Sequence, residues 1–579
     1  MVKLTEKKRS LLCDAAFIAF MLVLAVAFAW KAPRGFATVD ESFYPTIPYR
    51  LWQGDSLLSQ EWHVSQFVGL LQYPYMLLFR AFSPTNDGIY LAFRYFYFAT
   101  LLVGAVLVYI LLRRYDGKKR IAAFAAAAMY LSHTPYCSMS ISYNNLCLIY
   151  MGLAGVLLVT AGGHDWKYIA SGLCFAAAVL CSPYLAAIWV LYSVLLFIKC
   201  GRLKKAGERD ERAKILRAWV MFTLGCAVLA AILAVFVLSR TSLDRVIRSI
   251  EGILTDPEHS GTNVFDKIQV WLYYIMIYHR PMIAAFAGTG AVFAAWHFDK
   301  RREEHKWIYY AVSALFMLYL LWYLNRLYIY NMRLVIAMPL LTLIVYILGG
   351  RKEKRVFRFI YLPGWCYSVC VHFASNTEYE CILFALHICN IAGAYIIANE
   401  AVTLWKNGKK TERTASALLA LCVAGLVTLN LKETLTTSFS MWDGRIVDKV
   451  DMLYSKVETG PFKGLYFYED EHYDYEEQYK WTQPARDAEG DTVLYYMFAS
   501  WLYVADEKDS SSFSGWMSFA DVGVMFERMR LYWDINPEKV PDVVYVDKGT
   551  GGWQRALEVF NPNGYPVTEL EHGYLIQKP

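Results

Sequence analysis

Charge is scarce in this chain. Of 579 residues only 19% are Asp, Glu, Lys or Arg and 57% are hydrophobic, against roughly a quarter and a half in ordinary soluble domains. A soluble protein of several domains is excluded on that ground. Cysteine stops at Cys422, and the twelve from Cys13 to Cys422 fall mostly inside apolar runs, where a thiol acts as a small hydrophobe. No disulfide framework is implied, and no paired Cys/His spacing suggests a structural metal. The last 149 residues lack both the Walker and the dinucleotide glycine fingerprints, and no solenoid-type repeat is visible. Nucleic acid is excluded as a partner because the basic residues sit in short loops between apolar runs rather than along one groove.

What is present is a series of long apolar runs. The amino terminus carries Lys3, Lys7, Lys8 and Arg9 before a run over residues 11–30. That run can cross about 30 Å of hydrocarbon, and no small-residue cleavage site follows it, so it reads as a retained first span. Further runs centre on residues 88–112, 121–136, 139–161, 167–182, 184–199, 215–238, 282–298, 307–323, 329–349, 356–372, 380–399 and 414–430. The expected fold is therefore a polytopic α-helical membrane protein of about thirteen spans. Its strongly basic connections, at residues 113–120, 202–217, 300–306, 351–358 and 406–413, all fall on one side when the spans alternate. That side is expected to be cytoplasmic and to hold the amino terminus. Residues 62–82 are apolar too, but His63, Gln66, Gln72, Pro74 and Arg80 interrupt them, so an interfacial helix is expected.

Residues 431–579 hold 26 acidic and 14 basic side chains, a balance of −12, against +18 over the first 430. The expected organisation is a membrane module over residues 1–430, with exterior loops at 31–87 and 239–281, and an exterior α/β domain over 431–579. Long loops in compact proteins tend to be functional or disordered, and the aromatic residues in these two argue for ordered helices. In the tail, Ile446, Val450, Leu453 and Val457 are spaced for an amphipathic helix. Strand-like runs occur at 464–468, 492–498, 543–547 and 574–577, which favours a small mixed or parallel sheet.

The segment Thr38-Val39-Asp40-Glu41-Ser42-Phe43-Tyr44 places two adjacent carboxylates just beyond the first span. A carboxylate beside low-dielectric membrane can have a raised pKa and act as a general base; two solvated loop acids fit the same residues. Residues 47–53 followed by Gly54-Asp55 read as a short interfacial helix and a turn. Arg94 lies inside the second span, where a charge is costly unless paired with phosphate or carboxylate. Arg333, in Tyr330-Asn331-Met332-Arg333…Pro339, sits near the outer end of the tenth; a snorkelling arginine is the alternative at either position. Glu258 and His259 follow Asp256-Pro257 in the second loop, and His63 follows Glu61-Trp62 in the first. His259 could ligate a metal or hydrogen-bond a phosphate with Glu258 orienting it, and a turn with solvated charges fits the same residues; His63 fits pocket lining or a backbone contact.

This layout resembles the C-type (GT-C) membrane glycosyltransferases, with protein O-mannosyltransferases and lipid A aminoarabinose transferases the nearest likeness. The features that carry it are one amino-terminal span, the Asp-Glu pair, a short helix ending in Gly, a Pro-containing interfacial helix, and a second span ending in Arg113-Arg114. The resemblance covers most of the membrane module and implies a GT-C fold with the carboxyl-terminal domain outside. It implies an inverting glycosyltransferase that takes a sugar from a polyprenyl-phosphate donor to an exterior glycan, lipid or protein. On that likeness Asp40 is the catalytic acid with Glu41 beside it, and Arg333 and Arg94 hold the carrier phosphate. His63, Asn144, Asn145, Glu258 and His259 are candidate pocket residues. A divalent metal is compatible with the pattern but not required by it.

Two departures matter. Relatives carry an acid at the outer start of the fourth span, where this chain has Ser142-Tyr143-Asn144-Asn145. The Glu-Lys-Pro-Pro segment of the aminoarabinose transferases is reduced to Gln72-Tyr73-Pro74. A flippase or transporter of a lipid-linked glycan is the rival class, with polar residues expected near the midplane and paired repeat halves. A non-catalytic subunit of the same fold is a third reading. The absence of cysteine in the tail favours a bacterial plasma membrane, and membrane lipids are expected partners.

Overall fold

The computed structural model describes residues 6–36, 40–135, 138–257, 263–278, 280–327, 335–374, 380–440, 445–447, 455–517, 521–561 and 563–579. Each of the thirteen apolar runs lies on a helix. The first is α1 (Glu6–Lys31), and the long connection after it forms three short helices, α2 (Asp40–Phe43), α3 (Thr46–Gln53) and α4 (Val68–Phe82). Then follow α5 (Ile89–Tyr115), α6 (Arg120–Ser132), α7 (Tyr143–Thr160), α8 (Asp165–Cys181), α9 (Ala186–Lys205) and α10 (Arg209–Leu238). The second long connection forms α11 (Leu243–Leu254) and α12 (Val264–Tyr278), and the bundle resumes with α13 (Arg280–Phe298), α14 (Arg302–Leu327) and α15 (Ala337–Leu348). A helix start α16 (Lys354–Val356) runs through a wider turn over Phe357–Tyr361 into α17 (Leu362–Ala374). The bundle ends with α18 (Glu380–Ala385), α19 (His387–Asn407) and α20 (Lys410–Thr436).

Among the described residues nine helices are long and apolar enough to cross a membrane, so the chain is a polytopic α-helical membrane protein. At 15 residues α4 reaches only about 22 Å, short of the ~30 Å hydrocarbon core, with Pro74 inside it. Where α8 crosses α10 the backbones touch. A Cβ on Gly172 would collide with the Phe222 carbonyl and one on Gly225 with the Ile169 carbonyl, the small-residue contact by which helices associate in lipid.

The basic connections gather at one end of the bundle. Asp14 near the start of α1 pairs with Arg113 at 2.6 Å and Arg120 at 3.0 Å, Lys119 pairs with Glu353 at 2.7 Å, and Lys306 with Glu400 at 3.3 Å. The carboxyl-terminal region packs against the opposite end, on α2, α3, the start of α5 and α11.

That region begins at the end of α20 with two hairpin-like pairs, β1 (Ser438–Ser440) with β2 (Arg445–Val447) and β3 (Ser455–Lys456) with β4 (Tyr466–Phe467). Helices α21 (Glu469–Trp481) and α22 (Gln483–Asp487) lead into β5 (Thr492–Tyr496). Next come α23 (Leu502–Ala505), β6 (Asp509–Ser510), α24 (Val522–Ile535), β7 (Val543–Asp547), α25 (Trp553–Val559), β8 (Val567–Glu569) and β9 (Gly573–Gln577). The main sheet is mixed, in the order β6-β5-β7-β9-β8, with β5 parallel to β6 and β7, and β9 antiparallel to β7 and β8. The amphipathic helix expected around Ile446 is corrected: Arg445–Val447 is a strand paired to Ser438–Ser440, and Val450 and Leu453 lie outside the described residues.

The core of this region is not self-contained. Trp62, from the connection between α3 and α4, is fully buried among Leu494, Phe513, Met529 and Tyr532. The short helix α3 is likewise no surface helix, because Thr46, Ile47, Pro48, Tyr49, Arg50 and Leu51 are all buried. Gly515 lies so close over it that a Cβ there would sit 2.5 Å from Thr46 Oγ1.

Candidate functional site

The two acids of the Asp40-Glu41 pair have different surroundings. Glu41 is 1% exposed and meets Arg94, also 1% exposed, in a two-pronged pair: Nε to Oε1 at 2.6 Å and Nη2 to Oε2 at 2.7 Å. Arg94 Nη1 also donates to the carbonyls of Ala32 at 2.7 Å and Arg34 at 3.4 Å, and Nη2 to that of Gly35 at 2.5 Å. An arginine has five N–H groups, and all five are engaged. The phosphate role expected for Arg94 is therefore corrected. Its charge is spent on Glu41, and its remaining donors staple the chain leaving α1. Glu41 accepts from Arg94 on both of its oxygens, which ties the start of α2 to α5.

Asp40 opens α2 and is only partly buried. The helix is held from several directions. Tyr90 donates to the Ser42 carbonyl at 2.6 Å, and Thr46 Oγ1 donates to that of Phe43 at 2.6 Å. Phe43 meets the His63 ring at 4.4 Å and Trp516 at 5.9 Å. Tyr44 is fully buried, with its ring 6.0 Å from that of Tyr143 and a hydrogen bond to the Ser142 side chain. Burial first, and then the Asp40 charge, pushes the Tyr44 phenol well above its ordinary pKa, so it stays protonated.

Ser142 also caps α7, accepting from the Asn145 amide N–H at 3.1 Å. Asn145 Nδ2 donates to the carbonyls of Ser138 and Ser140, both at 2.7 Å, which fixes the approach to α7. Asn144 is buried beside it. The fold thus brings Asp40, His63 and the Ser142–Asn145 turn to one place. Arg333, Glu258 and His259 lie outside the described residues. Among the described residues no three His, Cys, Asp or Glu side chains come together as a metal site.

A second charged node lies alongside. Arg50 Nε meets Asp55 at 2.8 Å and Nη1 meets Glu61 at 2.9 Å, while Nη2 reaches the Gln60 carbonyl and, at 2.9 Å, that of Ser512. Lys539 from the α/β region closes it, 2.6 Å from Asp55. Burial raises the Glu61 pKa even though Arg50 opposes the shift. The other oxygen of Glu61 accepts the His63 backbone N–H at 3.0 Å, and His63 Nδ1 accepts that of Ser65 at 3.1 Å. The node therefore sets the ring that packs on Phe43.

The sequence reading misses Trp516 and the closure of the Arg50 node, because the contacts of Trp516 with Phe43, of Arg50 with Ser512 and of Lys539 with Asp55 each span more than 450 residues. Only the alternation of charge and aromatic residues over 49–63 hinted at a buried role.

No protein-family model and no curated protein matches the chain. Among solved structures it is similar to ArnT from Cupriavidus metallidurans bound to undecaprenyl phosphate, at 12% identity and a TM-score of 0.42, covering 97% of each chain.

Proposed function

We propose that the protein is an integral-membrane glycosyltransferase of the C type, working at the end of the bundle that carries the α/β region. It takes a sugar from a polyprenyl-phosphate donor to an acceptor hydroxyl. The observation that carries this reading is the division of labour within the acid pair. Glu41 is consumed by Arg94, while Asp40 stands at the accessible edge of a rigid α2, beside the protonated Tyr44.

In this mechanism the acceptor oxygen attacks C1 of the sugar and passes its proton to Asp40. The bond from C1 to the phosphate oxygen breaks, and its electron pair leaves with the polyprenyl phosphate, so the anomeric centre inverts. A carboxylate at the edge of α2 can take the proton of an acceptor hydroxyl placed beside it. Arg333 supplies the charge that stabilises the departing phosphate, now without Arg94. The α/β region, through Trp516, borders the acceptor entrance. The membrane is a bacterial plasma membrane, with the amino terminus in the cytoplasm.

The test is turnover in proteoliposomes supplied with polyprenyl-phosphate sugar, paired with mass spectrometry of the lipid that co-purifies. The expected result is release of polyprenyl phosphate, together with a bound polyprenyl phosphate that is lost in Arg333→Ala. Ordinary phospholipid alone from both proteins, with no release, would overturn the reading.

A further inference from the structure

Helix α11 presents three faces. Leu243, Ile247, Ile250 and Leu254, at spacings of four, three and four, form a narrow stripe, and they are 61%, 60%, 46% and 77% exposed. Asp244, Arg248, Glu251 and Thr255 form a second exposed face, about a quarter turn or more away. The third face is held by protein: Ser249 and Gly252 are buried, and Val246 and Ile253 are partly buried.

The protein contact on that third face is close. A Cβ on Gly252 would run into the Trp62 ring. The Gly252 carbonyl accepts from Arg528 Nε of α24 at 2.9 Å, and Arg528 lies 3.6 Å from Asp256. Arg245, at the border of this face, pairs with Glu538 at 2.6 Å.

We infer that the stripe is seated in the outer leaflet of the bilayer, making α11 an interfacial anchor that carries the α/β region. Three observations support a lipid occupant. The stripe begins five residues after α10 ends, and α10 exposes Val228, Ile232, Val235 and Leu238 on its way out of the bundle, so the apolar surface is continuous with one that must face hydrocarbon. The charged face turns away from the stripe, as in helices that lie in the membrane plane. Arg240, between the two helices, donates to the carbonyls of Leu51 at 2.6 Å and Asp55 at 3.0 Å, which pins α11 at the rim of the bundle.

The leaflet then sets the position of α24 and the sheet. The chain of contacts runs from lipid to α11, from Gly252 to Arg528 and Trp62, and from Trp62 into the core that holds Tyr532 and the Arg50 node. This inference does not depend on the reaction proposed above.

The experiment uses the full chain in vesicles of phosphatidylethanolamine and phosphatidylglycerol. Photoreactive benzoylphenylalanine replaces Ile247, Ile250 or, as a control, Glu251. After illumination, phospholipid adducts are expected at Ile247 and Ile250 and not at Glu251. Adducts joining two copies of the chain at Ile247, or equal lipid labelling at all three positions, would overturn the inference. A second readout is limited proteolysis of the double variant Ile247→Lys and Ile250→Lys in the same vesicles. Faster cleavage of the α/β region is expected there while α1–α10 stay protected; an unchanged digest would count against the anchor.

Discussion

Two buried arginines, Arg50 on α3 and Arg94 on α5, hold the connection that follows α1, and what each leaves over differs. Arg94 neutralises one carboxylate, Glu41, and leaves the adjacent Asp40 partly exposed. Arg50 lies among Asp55, Glu61 and Lys539, all four of them 4% exposed or less, and that node presents no acid at the surface. Each is built from charges that cost free energy to bury and are tolerated only while paired. The second node is therefore a clamp between the membrane module and the α/β region, whereas the first is a clamp beside a partly exposed carboxylate, the one to which the proposed reaction assigns the proton transfer.

The largest structural effect is expected where the node is richest. Arg50→Met would leave Asp55 and Glu61 buried with only Lys539 to balance them, at a cost of about 3–5 kcal/mol. A melting temperature many degrees lower, with the α/β region digested early, is the outcome to look for. Glu61→Gln should cost less than this, since burial already disfavours the Glu61 charge; calorimetry or a thermal-shift assay on both variants gives the order.

Arg94→Lys comes next. An ammonium has three donors against the five now in use, so two or more buried carbonyls lose their partner, at about 1–3 kcal/mol each. Thermal melting in detergent should show no rescue relative to Arg94→Met. Gly252→Ala should be milder, about 1–3 kcal/mol, and should loosen the α/β region selectively, as read by hydrogen exchange in α24. The smallest effect is expected from Tyr44→Phe, which keeps the packing on Tyr143 and removes one hydroxyl beside Asp40. A loss of turnover of roughly tenfold or less fits a neutral hydrogen bond worth about 1 kcal/mol.

The spans were legible because an apolar run of twenty residues has few other uses. The acid pair was legible too, but the difference between its members was not. Arg94 is saturated by the carbonyls of Ala32, Arg34 and Gly35, and no side-chain pattern reports where a carbonyl will point. Spacing alone also fails in instructive ways. Leu243, Ile247, Ile250 and Leu254 share their intervals of four, three and four with Ile446, Val450, Leu453 and Val457. The first set is a helix, while Ile446 lies in a strand paired with Phe439. Apolar periodicity is a weak prior that strand pairing overrides, here with a neighbour only a few residues away. Tyr143 and Trp516 reach Tyr44 and Phe43 through the fold, across about a hundred and almost five hundred residues.

The central claim is that Asp40 does chemistry and Glu41 holds structure. Measuring turnover and melting temperature side by side for Asp40→Asn and Glu41→Gln tests it most directly. The account predicts that Asp40→Asn melts like the parent protein but no longer releases polyprenyl phosphate, while Glu41→Gln melts several degrees lower because Arg94 is left buried and uncompensated. Retained turnover in Asp40→Asn, or an unchanged melting temperature in Glu41→Gln, would contradict it.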